Sequence, residues 1–246
     1  VAAAGLDVEL LRRLVTAALD EDLAYGPDVT TSATVSADQW VAASIGARGA
    51  GVVAGVPVAM VALDLVLGSE NWHLVSHLAD GSTVTAGDEV MALAAQTRGL
   101  LTVERTALNF LGHLSGVATV TSRWAEAVRP ARVRDTRKTT PGLRTLEKYA
   151  VRAGGGSNHR FGLDDAILIK DNHIALAGGV RTAIERARDN AGHLVKIEVE
   201  VDTLSQLEQA LAIGVDAVLL DNMTVDELRK AVAMTAGRAI TEASGR

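Results

Sequence analysis

The chain has 246 residues, of which 48% are hydrophobic and 22% charged, so it can fill the core of one large or two smaller domains. A net charge of −6 excludes a broad basic face, and with it a nucleic-acid or anionic-membrane binding protein. The absence of cysteine excludes disulfides and thiolate metal sites and fits a reducing compartment. The opening residues VAAAG lack the pattern of a signal peptide and no apolar run reaches about 18 residues, so we expect a soluble, cytoplasmic protein.

The first part of the chain alternates helical and strand-like patterns. Residues 7–24 have the apolar spacing of an amphipathic helix, with an aspartate placed to cap its start. Stretches 40–58 and 73–97 combine glycines, turn residues and alternating apolar positions, which predicts short strands. A helix is expected over 57–67 between them. These elements predict an N-terminal α+β domain over residues 1–100.

A long helical pattern over residues 100–128 leads out of this N-terminal domain. Gly112 and Gly116 lie inside the pattern, and each costs a helix roughly 1 kcal/mol relative to alanine. Close packing against another helix is the expected compensation. The second domain is placed at residues 129–246.

This second part alternates strand and helix patterns. The candidate strands are 131–135, 166–170, 195–201, 217–220 and 239–242, and the candidate helices are 143–153, 178–190, 204–213 and 225–236. Nearly continuous apolar strands between amphipathic helices indicate a parallel sheet covered by helices. Both an α/β barrel and an open doubly wound sheet fit this pattern.

Charged residues at the strand ends favour the barrel. Four of them lie at or just before the carboxyl end of a candidate strand: Lys170, Glu200, Asp221 and Glu242. In a barrel these ends all open onto the active-site face. A doubly wound sheet would concentrate such groups at one crevice instead. The sequence therefore predicts an α/β barrel.

The stretch 133–174 carries most of the candidate chemistry. Arg137 and Lys138 follow a strand-like run and precede a hydroxyl-rich turn. An arginine fork binds carboxylate or phosphate through two hydrogen bonds, and lysine adds a point charge. In this setting we favour ligand binding over the alternative, a solvated pair of loop cations.

Three glycines, residues 154–156, precede His159 and Arg160. They either end a helix or allow the following segment to approach a ligand without side-chain obstruction. His159 is either a hydrogen-bonded structural histidine or a ligand contact. Because it stands next to Arg160 and upstream of Lys170, we favour ligand contact.

Lys170 follows a run of aliphatic residues, so we expect its stem to be buried and its ammonium group to reach the barrel mouth. A buried lysine needs a nearby anion, and Asp171 is one candidate. Glu200 and Asp221 are the others. Alternatively, these two carboxylates hold Mg²⁺ together with a substrate phosphate and waters. No motif of a permanent metal site occurs, so Mg²⁺ is expected to arrive with the substrate.

Five motifs in order, DTRKTTPGLR, GGGSNHR, LIKDNHI, EVEV and LLDN, closely resemble the quinolinate phosphoribosyltransferases. The resemblance runs from about residue 7 to residue 245. It implies the type II phosphoribosyltransferase fold, with an N-terminal α+β sandwich-like domain and an incomplete α/β barrel. It further implies a homodimer with sites shared between subunits. The implied reaction joins quinolinate and 5-phosphoribosyl-1-pyrophosphate into nicotinate mononucleotide, with release of pyrophosphate and CO₂, in NAD biosynthesis.

The resemblance also assigns site residues. Those that surround the quinolinate carboxylates are Arg137, His159, Arg160 and Lys170, with Arg105 of the partner subunit. The catalytic candidates near phosphoribosyl pyrophosphate are Lys138, Glu200 and Asp221, of which the two acids lie near its Mg²⁺. Ser244 and Gly245 match the start of a 5′-phosphate loop. Because the family pattern continues past this loop, we expect that the C-terminal part of the barrel is missing from this sequence.

Two other functions remain open. A nicotinate phosphoribosyltransferase would bind one carboxylate, for which the cluster of five cationic residues is more charge than necessary. A non-catalytic anion-binding homologue is the alternative from another class, because the phosphate loop is incomplete.

Overall fold

The computed structural model describes residues 5–245, which form two compact units that divide between Phe161 and Gly162. The domain boundary at residue 129 stays a prediction. None of the helices in the described part of the chain is long and apolar enough to cross a membrane.

The first unit contains five helices and five strands. The helices are α1 (Val8–Leu23), α2 (Val29–Thr34), α3 (Val56–Leu67), α4 (Thr97–Ala127) and α5 (Arg144–Ala153). The strands are β1 (Trp40–Gly46), β2 (Gly51–Val52), β3 (Trp72–His77), β4 (Thr83–Val84) and β5 (Glu89–Gln96). The helices predicted over 7–24, 57–67, 100–128 and 143–153 are confirmed as α1, α3, α4 and α5. The sequence pattern did not predict α2, which begins at a cap where the Asp28 carboxylate accepts a hydrogen bond from the Thr31 N–H at 2.9 Å.

An antiparallel sheet of order β1-β5-β3 packs with these helices around one core. Its central strand β5 alternates buried and partly buried residues, as a strand with one covered face should. Helix α3 is apolar nearly all round, which places it in the interior. Four of the fully buried core residues are Leu11, Val58, Met91 and Leu114.

Asp80 ties α5 to the start of α3. Its carboxylate accepts hydrogen bonds from the Gly55 and Val56 N–H groups at 2.7 and 3.1 Å, and from the Tyr149 hydroxyl at 2.6 Å. Burial and the neighbouring Asp80 carboxylate raise the pKa of Tyr149, so the phenol keeps its proton and remains a donor. The N–H groups of the N-cap Gly55 and of Val56 at the start of α3 are thereby satisfied.

The expected close packing at Gly112 and Gly116 is not found within the chain. A Cβ added at either glycine would meet no atom within 4 Å among the described residues. Both glycines instead line a groove of about 990 Å³ between α4 and the region of β1 and β2. Within the single chain the two glycines face this open space, and close packing against a helix of a partner subunit stays a prediction.

The second unit is a parallel sheet with helices between its strands. The strands are β6 (Ile167–Ile169), β7 (Ile197–Val201), β8 (Ala217–Asp221) and β9 (Ile240–Ser244). The helices are α6 (Asp171–Ala177), α7 (Val180–Asn190), α8 (Leu204–Ile213) and α9 (Val225–Thr235). The strand order β6-β7-β8-β9 follows the chain without reversal. A doubly wound sheet reverses its order at a switch point, so this unit is a wedge of an α/β barrel, as predicted.

The helices predicted over 178–190, 204–213 and 225–236 are confirmed as α7, α8 and α9. Helix α6 was not predicted, because its short sequence DNHIALA has no full amphipathic period. Between sheet and helices lies a core that includes Val199, Val201 and Val218, each fully buried. Lys170, Glu200 and Asp221 lie at or next to the strand ends beyond this core.

Candidate active site

Two segments that carry predicted anion-binding cations lie side by side in the first unit. Arg134 and Ser157 form an isolated parallel bridge. The prediction of a strand over 131–135 is therefore wrong. The neighbouring segment, which follows the three glycines, pairs with it at only one position. The bridge nevertheless sets the Arg137–Lys138 and His159–Arg160 pairs at corresponding ends of the two segments, two to four residues beyond it.

Arg137 is the predicted cation most clearly available to a ligand. Its side chain is half-buried, and its Nε has no hydrogen-bond partner among residues 5–245. A buried cationic N–H without a partner is costly, and an anionic ligand would satisfy it. Lys138 is exposed, and its backbone N–H donates to the Thr136 hydroxyl at 2.9 Å. The turn is thus held by a local hydrogen bond that uses neither cationic group.

Helix α5 braces the turn that follows these cations. The Arg144 guanidinium donates to the Thr139 hydroxyl at 3.2 Å and to the Phe161 carbonyl at 3.1 Å. One side chain therefore joins the two cation-bearing segments. Sequence reasoning missed Arg144, because an arginine in the first turn of a helix is ordinarily a solvated surface charge.

Glu147, three residues after Arg144 on α5, holds the same turn. Its carboxylate accepts hydrogen bonds from the Thr140 N–H at 3.1 Å and from His113 Nε2 at 3.0 Å. Burial alone would raise the pKa of Glu147, but the hydrogen bonds from Thr140 and His113 outweigh it and lower the pKa below its ordinary value. The carboxylate thus stays charged and keeps the turn in place at neutral pH.

The three glycines before His159 end α5 and pack it against α4. A Cβ added at Gly154 would lie 2.8 Å from the Thr121 Cβ, 3.0 Å from the Ala118 carbonyl carbon, and closer still to that carbonyl oxygen. A Cβ added at Gly156 would lie 2.8 Å from Thr121 Cγ2. Gly155 has φ +84°, a conformation that favours glycine. These contacts support the helix-end alternative, with close backbone packing as the reason for glycine.

Arg105 lies on α4, exposed, beside the groove that Gly112 and Gly116 line. It makes no ion pair or hydrogen bond with any residue in the described range 5–245. No ion pair with a neighbouring acid of α4 is therefore formed. Its guanidinium remains open to a partner outside the chain.

In the second unit, Lys170 pairs with Glu200. Its Nζ lies 2.6 Å from Glu200 Oε2, across the neighbouring strands β6 and β7. The pairing follows from the parallel register, which sets Ile169 opposite Val199 and so brings the next residue of each strand together. The Lys170 side chain is 43% exposed, and of its three candidate partners Glu200 makes the ion pair and Asp171 does not. The reason is that α6 begins at Asp171, and its carboxylate accepts from the Asn172 N–H.

Asp221 and the last described residues form a second polar group at the ends of β8 and β9. The Asp221 carboxylate accepts hydrogen bonds from the Ser244 hydroxyl at 2.5 Å and from Asn222 Nδ2 at 2.7 Å. Asn222 has φ +53°, an uncommon conformation for a non-glycine residue that is often found at functional sites. A Cβ added at Gly245 would lie 3.3 Å from the Asn222 backbone, which explains a glycine there. Across residues 5–245 no cation neutralises Asp221.

The sheet topology and the polar groups together define the class of protein to which this chain belongs. Acidic and basic side chains at the carboxyl ends of parallel barrel strands, with further cations held on braced turns, are the features of an α/β-barrel enzyme that acts on an anionic small molecule.

Family comparison makes this class specific. Residues 28–115 match the N-terminal domain and residues 117–246 the C-terminal domain of quinolinate phosphoribosyl transferase. The chain belongs to the quinolinate phosphoribosyltransferase family. It is 48% identical, over 244 residues, to the carboxylating nicotinate-nucleotide pyrophosphorylase of Mycobacterium leprae, covering 97% of this chain and 86% of that protein. It is 43% identical to the probable enzyme of the same name from Bacillus subtilis, covering 96% and 81% of the two chains.

Solved structures agree with the fold. The crystal structure of NadC from Streptococcus pyogenes superposes with a TM-score of 0.93 at 43% identity and covers 98% of this chain and 85% of that one. The nicotinate-nucleotide pyrophosphorylase from Francisella tularensis superposes with a TM-score of 0.91 at 37% identity, over 98% and 84% of the two chains. The fold implied by the sequence motifs, an α+β domain followed by an incomplete α/β barrel, is thereby confirmed.

Proposed function

We propose that this chain transfers the phosphoribosyl group of 5-phosphoribosyl-1-pyrophosphate to quinolinate, with decarboxylation. The quinolinate ring nitrogen attacks ribose C1 and displaces pyrophosphate. The carboxylate at ring C2 then leaves as CO₂, and a proton from solvent takes its place to give nicotinate mononucleotide. This is the reaction of the carboxylating enzymes with which the chain shares its family, and it belongs to NAD biosynthesis.

One observation carries the assignment of the residues that bind the quinolinate carboxylates. The Nε of Arg137 is buried, and no described residue accepts a hydrogen bond from it. We assign the quinolinate carboxylates to Arg137, His159, Arg160 and Lys170. Cations held in place by a fold stabilise a dianion far better than water does, because they need no reorganisation on binding. No general base is required, since the ring nitrogen attacks without losing a proton.

The carboxylates of the second unit suit the ribose half of the reaction. Displacement of pyrophosphate builds positive charge at ribose C1. Asp221, which no described cation neutralises, and Glu200, which pairs with Lys170, supply negative charge that stabilises this positive charge. Lys138 is assigned to the departing pyrophosphate. Both acids also fit Mg²⁺, whose preferred ligands are oxygens, and Mg²⁺ bound with the phosphates would neutralise the leaving group. Ser244 and Gly245 are assigned to the 5′-phosphate.

The assembly that fits this function is a homodimer in the cytoplasm, with each Arg105 directed to the other subunit. The unpaired guanidinium of Arg105 and the open groove beside it support this arrangement. A two-fold dimer would use both copies of the same face, as isologous interfaces do.

The deciding experiment supplies quinolinate labelled at the C2 carboxylate together with phosphoribosyl pyrophosphate and Mg²⁺. We expect equal amounts of labelled CO₂ and pyrophosphate, and loss of both products when Mg²⁺ is chelated. Absence of turnover would favour the non-catalytic anion-binding alternative. A preference for nicotinate over quinolinate in kcat/KM would instead favour the nicotinate enzyme.

A further inference from the structure

A buried ion pair in the first unit lies directly behind the predicted quinolinate-binding segment. Lys148 of α5 is 0% exposed, and its Nζ contacts the Asp135 carboxylate, which is 7% exposed. Neither Lys148 nor Asp135 is among the residues proposed to bind substrate or Mg²⁺. Burying two charges in a core carries a large desolvation penalty, and apolar residues of the same size often stabilise a fold equally well. Stability alone therefore gives a weak reason for this pair.

The pair holds both backbone groups of His159. The Asp135 carboxylate accepts a hydrogen bond from the His159 N–H at 2.8 Å, and Lys148 Nζ donates to the His159 carbonyl at 3.1 Å. The pair also fixes the preceding residue, because Asn158 Nδ2 donates to Asp135 at 2.6 Å and to the Lys148 carbonyl at 2.8 Å. The peptide units on either side of His159 are thus fixed by charged partners, whose hydrogen bonds are stronger than neutral ones.

Asp135 also links this segment to the neighbouring one. It stands two residues before Arg137, and its N–H donates to the Ser157 carbonyl at 3.2 Å. Lys148 further places its charge 5.0 Å from the centre of the Phe161 ring, just past Arg160. One buried pair therefore touches the segment of Arg137 and both ends of the His159–Arg160 pair.

We propose that the Lys148–Asp135 ion pair is the positioning element that sets His159 and Arg160 relative to Arg137 for binding of the quinolinate dianion. The proposal deepens the proposed function and rests on it for the identity of the ligand. Both residues act through the backbone of the segment and do not touch the substrate. Loss of the pair weakens the binding of quinolinate and leaves the binding of phosphoribosyl pyrophosphate and the chemical step nearly unchanged.

The test compares a charge-free replacement of the pair with a matched control. Asp135→Leu combined with Lys148→Met removes both charges together and so avoids a lone buried ion. Tyr149→Phe is the control, since it removes a buried hydrogen bond of the adjacent residue on α5, to Asp80, without contact to the His159 segment. Asp135→Asn keeps the side-chain shape but leaves the Lys148 charge without its counter-ion, and it is the second variant if the double variant does not fold.

In the double variant we expect the KM for quinolinate to rise about tenfold or more, with kcat and the KM for phosphoribosyl pyrophosphate within about threefold of wild type. Tyr149→Phe should leave all three parameters near wild type. A merely structural role would instead lower the melting temperature of both variants and leave the KM for quinolinate unchanged. That outcome would overturn the proposal.

A second measurement does not depend on turnover. Amide hydrogen exchange, followed by mass spectrometry, should accelerate about tenfold or more in the peptide 157–161 of the double variant or of Asp135→Asn, and remain unchanged there in Tyr149→Phe. Unchanged exchange in this peptide would refute the positioning role. If the wild-type protein did not turn over quinolinate, the proposed function would fail, and this exchange measurement would still decide whether the pair positions the segment.

Discussion

Replacing Gly154 by alanine tests whether the glycine triplet serves packing of α5 on α4. The new methyl group would lie 2.8 Å from Thr121 Cβ and 3.0 Å from the Ala118 carbonyl carbon. Normal carbon–carbon contacts are about 3.5–4.0 Å, so one helix must move by roughly half an ångström or more. Because the obstacle is backbone, no change of rotamer relieves it.

The expected loss of stability lies at the upper end of the overpacking range, about 3 kcal/mol. All three tryptophans, Trp40, Trp72 and Trp124, belong to the first unit, so fluorescence-detected urea unfolding reports on this unit alone. The midpoint should fall markedly while the slope with denaturant stays constant. Gly49→Ala is the control, because a Cβ at Gly49 meets nothing within 4 Å in the described structure, and its effect should stay within about 0.5 kcal/mol. Equal midpoints for the two variants would refute the packing argument.

Three further outcomes are expected. Lys170→Ala should weaken quinolinate binding about tenfold, which is less than for a fully buried charge because the Lys170 side chain is 43% exposed. A quinolinate affinity within twofold of wild type, measured by calorimetry, would contradict its role. Arg105→Ala and Lys170→Ala homodimers should each lose activity at subsaturating quinolinate, and mixing the two should restore activity there, since one site of each heterodimer holds both residues; heterodimers no more active than either homodimer would exclude a shared site. The Lys196 ammonium and the Ile197 N–H lower the pKa of Asp216, so this carboxylate stabilises the fold above about pH 4 and progressively less as the pH falls through its lowered pKa. Asp216→Asn should therefore reduce the acid-induced loss of stability seen in unfolding curves recorded between pH 2 and 6, and an unchanged pH dependence would contradict this contribution.

The sequence by itself determined the long amphipathic helices and the class of sheet. Helices α1, α4, α7 and α9 follow from apolar residues that recur about every 3.6 positions. This period is a local property, which can be seen within the sequence of each helix alone. Apolar strands with charged ends indicated a parallel barrel, and the strand order confirms it. The motifs DTRKTTPGLR and GGGSNHR indicated the family, and the comparisons confirm it.

Partners across the fold were decided only by the tertiary structure. Asp171 adjoins Lys170 in sequence, yet Lys170 pairs with Glu200, because the register of β6 and β7 places these two residues together. A lysine within a helix is usually exposed to solvent, yet Lys148 is fully buried and pairs with Asp135. Local patterns specify which face of an element is apolar, but the identity of a polar partner depends on register and packing between elements that are distant in sequence.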